Sequence, residues 1–157
     1  MDTITQNRFN AENDSDEVVV SLPKVASSTK KSKPQDFSIL IVDDEPDLRE
    51  ILSFDFERIG YRVDTAAGGI EALAKFKEKA FDLVITDIRM PLGDGLTLLR
   101  DIKVLSQVTP VICITGFSEV SSTTMLEQGA LGVFEKPFDR KKLHKTVFDV
   151  LAIQTES

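Results

Sequence analysis

Cysteine and histidine are nearly absent from this chain of 157 residues, which has one of each, Cys113 and His144. A single cysteine cannot form a disulfide within the chain, and this fits a reducing compartment. One cysteine and one histidine also cannot supply the ligands of a common zinc site. Cys113 lies in an apolar segment and is predicted to be in the core. His144 lies beside Lys142 and Lys145 and is predicted to face solvent.

An excess of positive charge is also lacking, since 19 Lys and Arg oppose 26 Asp and Glu, giving a formal net charge of −7. This balance argues against direct binding of nucleic acid or of an anionic membrane surface. No apolar run approaches the ~18 residues of a membrane span. The N-terminus lacks the basic start and long apolar stretch of a secretory signal. We therefore expect a cytoplasmic protein with no membrane insertion and no direct contact with nucleic acid.

Residues 1–36 differ in composition from the rest of the chain, because they are rich in Asn, Ser, Thr, Asp and Lys. Their only apolar cluster is Val18-Val19-Val20, which is too little apolar surface to offset the entropy of ordering. We predict a disordered N-terminal extension and linker, a single domain at 37–152 and a short C-terminal tail at 153–157. As an alternative, the stretch DEVVVSL could add as a strand to the sheet edge of a partner.

From Phe37 onward, short apolar segments alternate with amphipathic helical segments. The predicted strands are FSILIVD, YRVDTA, FDLVITD, TPVICIT and LGVFEK. The first helix is predicted to open at Pro46 and to end at Gly60. The other helices are predicted in GGIEALAKFKEKA, GDGLTLLRDIKVLS, SEVSSTTMLEQG and DRKKLHKTVFDVLA. This alternation predicts an α/β fold with a parallel sheet, helices on both faces and right-handed crossovers.

Helical spacing of the apolar residues predicts which side of each helix faces the sheet. The residues predicted to face inward are Leu48, Ile51, Leu52, Phe56 and Ile59 in the first helix; Ile70, Leu73 and Ala74 in the second; Leu96, Leu99 and Ile102 in the third; and Leu143, Val147, Val150 and Leu151 in the last.

Distinctive polar residues fall where four of the five strands end. The first strand ends in Asp43-Asp44, the third in Asp87, the fourth in Thr115 and the fifth in Lys136. Ligands of such sheets bind at the carboxyl ends of the strands. Three close acids suit Mg²⁺, and without a metal they would raise one another's pKa. A lysine and a hydroxyl suit phosphoryl oxygens, so the set indicates phosphoryl transfer, in which a carboxylate can be the nucleophile.

These segments together resemble a known family. Asp-Asp at the end of the first strand, DIRMPLGDG after the third, TGF after the fourth and FEKPF around the fifth resemble the response-regulator receiver domain of two-component signalling. The resemblance covers Phe37 to Ala152 and points to the stand-alone, single-domain type. It implies a flavodoxin-like (βα)5 fold, a doubly wound five-stranded parallel sheet with strand order 2-1-3-4-5.

The resemblance implies a phosphoacceptor and a metal site. Asp87 corresponds to the phosphoacceptor of the family. Asp43 and Asp44 correspond to its Mg²⁺-binding acids, with Asp87 and the backbone carbonyl of Arg89 as the other protein ligands. Glu45 has no metal role in this interpretation and is predicted to be a first-turn acid of the helix.

The resemblance also implies a switch. Thr115 would donate a hydrogen bond to a phosphoryl oxygen, and Lys136 would pair with another. Phe134 occupies the aromatic switch position, where the family commonly has Tyr or Phe, although a static core aromatic is the alternative. The Lys136-Pro137 peptide bond is expected to be cis. Gly93-Asp94-Gly95 is predicted to be a loop and helix start without a chemical role.

The function that the resemblance implies is a signalling phosphoacceptor and not an enzyme, because it catalyses only its own phosphorylation and dephosphorylation. A histidine kinase or a histidine phosphotransfer protein would phosphorylate Asp87. Phosphorylation would then change binding to a downstream protein through the face of the fourth helix, fifth strand and fifth helix. Since no DNA-binding or catalytic segment follows Ala152, we expect protein binding as the output, and a monomer or a phosphorylation-dependent dimer.

Several alternatives differ in mechanism. The protein could pass phosphate onward as a relay intermediate. An Asp-nucleophile phosphatase of the haloacid-dehalogenase type has its nucleophile on the first acidic strand and a second Asp two residues on, where this chain has Glu45. A flavin-binding protein of the same fold would need a phosphate-cradling loop that these acids would repel. A receiver fold without the switch, acting as a scaffold, would not require the acidic and Lys/Thr set. Asp43 and Asp44 could also be simple acids at a helix N-terminus.

Two residues depart from the usual receiver pattern. Arg89 and Phe117 lie two residues beyond Asp87 and Thr115, at positions that flank the route of the attacking water in receivers. A cationic Arg89 and a bulky apolar Phe117 should orient water poorly and screen the acyl phosphate. We therefore predict slow self-dephosphorylation.

Overall fold

A five-stranded parallel sheet forms the centre of the computed structural model, which describes residues 8–9, 20–21, 33–116 and 120–153. The strands are β1 (Ser38–Val42), β2 (Arg62–Ala66), β3 (Leu83–Asp87), β4 (Val111–Thr115) and β5 (Gly132–Glu135). They are arranged in the order β2-β1-β3-β4-β5, which confirms the predicted order 2-1-3-4-5. The helices are α1 (Pro46–Ile59), α2 (Gly69–Glu78), α3 (Gly95–Leu105), α4 (Ser122–Glu127) and α5 (Arg140–Ile153).

The three central strands are buried on both faces. Every residue of β1, β3 and β4 is buried, as expected for parallel strands covered by helices on each side. Alternate side chains enter opposite cores, so Ile39 and Ile41 pack on the side of α1 and α5. Leu40 and Val42 pack on the side of α2, α3 and α4, in the core that also contains Cys113. The buried position predicted for Cys113 is therefore confirmed.

The boundaries of α1 follow from its terminal residues. Pro46 is the first helical residue, where its missing N–H has no intrahelical partner to lose. Gly60 ends the helix with φ of 119°, and its N–H donates to Phe56 O and Glu57 O. Both ends agree with the prediction from the sequence. The four inward residues predicted for α5 are also buried.

The predicted inward faces of α1 and α2 were wrong in part. Ile51 and Ile59 are 40% and 41% exposed, and Ile70 is 73% exposed. Ala74 is exposed too, whereas Ala72 is fully buried in α2. The start of α2 is fixed by loop contacts, because Gly69 N donates to Gly93 O at 2.8 Å. These contacts set the rotation of the helix, and the spacing of apolar residues alone does not reveal them.

The prediction that His144 faces solvent was also wrong, because it joins α5 to α1. Its Nε2 lies 3.0 Å from Asp55 Oδ2, and its ring packs edge-on against Phe56 at 5.1 Å between centroids. Arg140 Nε approaches the same Asp55 oxygen at 2.9 Å. The Asp55 side chain is only 9% exposed, so both contacts are largely shielded from water on the acid's side.

We expect Asp55→Ala to lower the free energy of unfolding by about 1–3 kcal/mol, because Arg140 and His144 lose a largely buried acceptor. Urea denaturation at neutral pH measures the change. Glu57→Ala, an exposed acid on the same helix, is the control and should alter stability by less than about 0.5 kcal/mol. Equal effects of the two substitutions would show that the Asp55 contacts contribute nothing.

The continuously described part of the chain begins at residue 33, slightly before the predicted domain start at residue 37. Pro34–Asp36 form a 3-10 turn, and Arg62 Nη2 donates to Asp36 O at 3.2 Å. Arg8–Phe9 pairs antiparallel with Val20–Ser21, which lies in the stretch considered for strand addition to a partner. The rest of residues 1–32, and the tail beyond Ile153, lie outside the described residues. Among the helices described, none combines the length and apolar character needed to cross a membrane.

Candidate functional site

Strand register brings the predicted polar residues to one edge of the sheet. Val42 pairs with Thr86, so Asp43, which directly follows β1, lies beside Asp87, the last residue of β3. Asp87 pairs with Ile114, and Thr115 in turn pairs with Glu135. Lys136 immediately follows β5. The polar residues predicted at the ends of four strands therefore all lie at the carboxyl edge of the sheet.

Asp43, Asp44 and Asp87 form a compact acidic cluster. Each offers one carboxylate oxygen, and these atoms lie within 4.8 Å of one another. Asp43 is 1% exposed and Asp87 is 5% exposed, whereas Asp44 is half-buried. Burial and the repulsion of neighbouring carboxylates both oppose the ionisation of Asp43, which makes this acid costly in the metal-free cluster.

Asp43 carries the clearest sign of this cost. Burial raises its pKa from 3.8 to about 6, and the hydrogen bond from Glu45 N and the Lys136 charge only partly offset the burial and the repulsion by Asp87. Its Oδ1 accepts the Glu45 N–H at 2.8 Å. Its Oδ2 is buried and has no hydrogen-bond partner among the residues that the structure describes. Only Lys136 Nζ, at 3.7 Å, gives this oxygen an ionic neighbour in the described structure.

Asp87 is held by three donors that point its carboxylate across the edge. Oδ1 accepts from Ile88 N at 2.6 Å and from Arg89 N at 3.3 Å. Oδ2 accepts from Lys136 Nζ at 2.8 Å. The backbone thus fixes the position of Oδ1, while Oδ2 faces the ammonium group of Lys136.

Lys136 lies among three carboxylates. Its Nζ is 2.8 Å from Asp87 Oδ2, 3.2 Å from Glu45 Oε1 and 3.7 Å from Asp43 Oδ2. Burial alone would lower the pKa of Lys136, but the bonds to Asp87 and Glu45 and the surrounding negative charge raise it above its usual value. The lysine is therefore a permanent cation at neutral pH. Its peptide bond to Pro137 is cis, as the resemblance implied.

Thr115 and Phe134, the residues assigned to the switch, are both buried. Thr115 is 4% exposed, and its Oγ1 lies 3.4 Å from Gly116 O. Phe134 is 3% exposed and packs edge-on against Phe138 at 6.1 Å between centroids. Phe117, assigned to tuning of dephosphorylation, lies outside the described residues, and Arg89 is exposed next to Asp87.

The loop after Asp87 folds tightly back against it. Gly95 N donates to Ile88 O at 2.8 Å, and Gly93 has a positive φ of 96°. Asp94 caps α3 by accepting from Thr97 N at 2.8 Å, which confirms Gly93-Asp94-Gly95 as a loop and helix start. A Cβ on Gly95 would lie 1.9 Å from Asp87 O, so this position leaves no room for a side chain.

The donor set fits Mg²⁺. Three carboxylates converge and offer hard oxygen ligands, and one of their buried oxygens lacks a hydrogen-bond partner among the described residues. Mg²⁺ prefers such ligands and keeps open positions for water or phosphate oxygens. The cluster therefore has the composition of a magnesium site.

Sequence reasoning missed Glu45 as part of this site. It is the N-cap residue and not a first-turn residue of α1, and its side chain makes no capping bond but approaches Lys136. Its position directly after the Asp43-Asp44 pair was the available signal, because side chains that follow one strand lie near those that follow the neighbouring strands.

The fold is that of a CheY-like α/β protein. A CheY-like response regulator receiver domain protein from Methanospirillum hungatei JF-1 superposes with a TM-score of 0.72 at 30% identity, covering 79% of this chain and 97% of that one. CheY in a CheX-CheY-BeF3-Mg complex from Borrelia burgdorferi gives a TM-score of 0.68 at 36% identity, covering 73% and 89% of the two chains.

Comparison with related sequences identifies the same class of protein. The family model described as the response regulator receiver domain matches residues 39–148, and the chain belongs to this family. The transcriptional regulatory protein ZraR of Klebsiella oxytoca is 42% identical over 115 residues, which cover 73% of this chain and 26% of ZraR. The probable transcriptional regulator ycf27 of Porphyridium aerugineum is 41% identical over 114 residues, covering 72% and 47%. The chain thus matches about a quarter to a half of the length of these regulators.

Proposed function

We propose that this receiver domain accepts a phosphoryl group on Asp87 from a phosphohistidine of a partner kinase or phosphotransfer protein. The observation that carries the proposal is the position of Asp87. Its Oδ2 lies 2.8 Å from Lys136 Nζ, and it shares a cluster of acids within 4.8 Å with Asp43 and Asp44. A cation, an acidic metal site and a carboxylate nucleophile are what phosphoryl transfer to an aspartate requires.

In this proposal Asp43, Asp44, Asp87 and the backbone carbonyl of Arg89 hold Mg²⁺. The bound ion would supply neutralisation of the charge that gathers on the transferred phosphoryl oxygens. An Asp87 carboxylate oxygen attacks phosphorus, the P–N bond of the phosphohistidine breaks, and its electron pair leaves with the imidazole. Lys136 then pairs with a phosphoryl oxygen that replaces its contact with Asp87 Oδ2.

The proposed output is a population shift. Thr115, buried at the end of β4, would turn its hydroxyl toward the phosphoryl group, and Phe134 would repack as Thr115 moves. Both residues adjoin the face of α4, β5 and α5, which would then bind a downstream protein. We include in the proposal the cytoplasmic location and the monomer or phosphorylation-dependent dimer expected from the sequence.

A groove beside the site offers a place for the phosphodonor. It has a volume of about 770 Å³ and lies between the start of α1 and the segment joining β5 to α5. Its apolar lining includes Leu48, Ile51, Pro137 and Phe138, while Asp44 and Lys136 border it. We propose that a helix bearing the donor histidine rests on the apolar lining, which would bring the histidine to Asp87.

The test is incubation with acetyl phosphate and Mg²⁺, followed by intact mass spectrometry. The expected result is one added phosphoryl group, absent after Asp87→Asn and absent with EDTA. No adduct from any phosphodonor would overturn the proposal. Repeated hydrolysis of a phosphate ester would instead favour the Asp-nucleophile phosphatase, and transfer of the label to a histidine phosphotransfer domain would favour the relay.

Self-dephosphorylation should be slow, because Phe117 and Arg89 supply no carboxylate or amide to orient the attacking water. We expect Phe117→Glu to shorten the lifetime of the phosphorylated protein by about 10-fold, below the roughly 10²- to 10⁴-fold contribution of a fully positioned general acid or base. The decay of the phosphorylated mass after removal of acetyl phosphate measures it. Phe54→Glu, on the exposed side of α1, is the control. Identical lifetimes for the wild type and Phe117→Glu would refute the expectation.

A further inference from the structure

Glu45 contacts Lys136, although the family pattern assigns Glu45 no role in the site. The carboxylate Oε1 lies 3.2 Å from Lys136 Nζ, across 91 residues of sequence. Glu45 is 63% exposed at its side chain, so this contact lies at the mouth of the site, whereas Asp87 holds the lysine from within. The same ammonium therefore links an inner acid and an outer acid.

The backbone position of Glu45 explains why its side chain is available. As the N-cap residue of α1, it accepts the Arg49 N–H at 3.0 Å through its backbone carbonyl. An N-cap side chain ordinarily accepts an N–H of the first turn, but the Glu45 side chain does not do so. Its backbone N–H is directed to Asp43 Oδ1 at 2.8 Å, which fixes the residue against the acidic cluster.

The contact with Glu45 becomes unfavourable once Asp87 carries a phosphoryl group. Lys136 would have to meet the new phosphoryl oxygens, and their added negative charge would lie next to the Glu45 carboxylate. An ammonium has three donors but can be close to only a few anions at once. Phosphorylation increases the negative charge at Asp87. The contact with Glu45 is therefore the one that Lys136 can lose.

We propose that Glu45 is a positioning residue that shares the Lys136 ammonium with Asp87 before phosphorylation and releases it to the phosphoryl group afterwards. This inference rests on the proposed function of Asp87. The exchange adds to the barrier of phosphorylation, because one ion pair must loosen as another forms. Glu45 also places a negative charge at the mouth, which opposes the approach of small anionic donors.

The test substitutes Glu45→Gln, which removes the charge and keeps the shape, and compares it with Glu50→Gln. Glu50 is an exposed acid of the same helix, so this control makes the same change of net charge away from Lys136. We expect Glu45→Gln to speed phosphorylation by acetyl phosphate about 3- to 10-fold, as expected for one nearby charge at a wet site. Glu50→Gln should leave the rate within about 1.5-fold.

A second measurement follows the lysine itself, without phosphate. NMR relaxation of the Lys136 side-chain nitrogen should show a more mobile ammonium in Glu45→Gln than in the wild type or in Glu50→Gln. Calorimetry should give a dissociation constant for Mg²⁺ within about threefold of the wild type, because Glu45 is a neighbour of the metal acids and not one of them.

The outcomes separate the possibilities. Unchanged Lys136 mobility, or a phosphorylation rate equal to that of Glu50→Gln, would overturn the role of Glu45. Loss of Mg²⁺ binding in Glu45→Gln would also overturn it, since Glu45 would then be a metal ligand. Failure of the wild type to take up phosphate would refute the proposed function of Asp87, and that result is distinct because the mobility measurement needs no phosphate.

Discussion

Asp43→Asn is expected to make the metal-free protein more stable at pH 7.5, although it should remove the response to Mg²⁺. Asp43 is 1% exposed, and burial raises its pKa from 3.8 to about 6. A shift of this size corresponds to about 3 kcal/mol of strain in the ionised state. An amide at this position avoids that cost, so we expect a gain of about 1–3 kcal/mol in the free energy of unfolding.

The pH dependence of this gain has a defined sign. The folded protein binds the Asp43 proton more tightly than the unfolded chain, because the folded pKa is the higher one. Asp43 therefore costs no stability below pH 3.8, and the cost grows as pH rises to about 6 and is constant above it. The difference in stability between Asp43→Asn and the wild type should consequently shrink as the pH is lowered from 7 toward 4.

Urea denaturation in EDTA and in excess Mg²⁺ measures both parts of this prediction. The wild type should gain stability as RT ln(1 + [Mg²⁺]/Kd), whereas Asp43→Asn should gain little, because it lacks the acid with the unpartnered oxygen. Glu50→Gln is the control and should behave as the wild type does in both buffers. If Asp43→Asn were less stable than the wild type in EDTA at pH 7.5, burial would not be the dominant influence on Asp43.

The strands themselves and the edge of the sheet that carries the site were predictable from local sequence, whereas the strand order was implied by the resemblance to the receiver family. Continuous apolar runs in β1, β3 and β4 mark strands buried on two faces, and this pattern needs no knowledge of distant contacts. Polar residues at four strand ends must meet, since parallel strands end at the same edge. The rotation of α2 was not predictable, because the hydrogen bond from Gly69 N to Gly93 O joins the start of α2 to the distant loop between β3 and α3.

Side-chain pairings between distant helices and loops also escaped prediction. Glu45 and Lys136 are 91 residues apart, and Asp55 and His144 are 89 residues apart. In the sequence, His144 is one of several polar residues in a segment rich in basic residues. Only the packing of α5 against α1 places its ring on Phe56 and its Nε2 at Asp55. Charge patterns therefore identified the acidic cluster and its lysine but not the contacts that Glu45 and His144 make with distant residues.

Gly95→Ala is expected to have the largest effect of any single methyl group added near the site. A Cβ at this position would lie 1.9 Å from Asp87 O and 2.9 Å from Ile88 Cα. Both atoms belong to the backbone and cannot rotate away, so either the start of α3 or the Asp87 backbone must move. We expect the free energy of unfolding to fall by about 2–4 kcal/mol, at the upper end of overpacking effects.

We expect Gly95→Ala to lower the rate of phosphorylation as a second effect, separate from the loss of stability. A shift of about 1 Å at the carboxylate is enough to slow an oriented reaction by roughly tenfold or more. The rate with acetyl phosphate should be measured at a temperature where urea titration shows the variant to be folded. Gly116→Ala is the matched control, because its Cβ would meet nothing nearer than Lys136 Cδ at 3.9 Å. A normal phosphorylation rate in Gly95→Ala, despite reduced stability, would show that the start of α3 moves and Asp87 does not. That result would contradict the expected effect on phosphorylation.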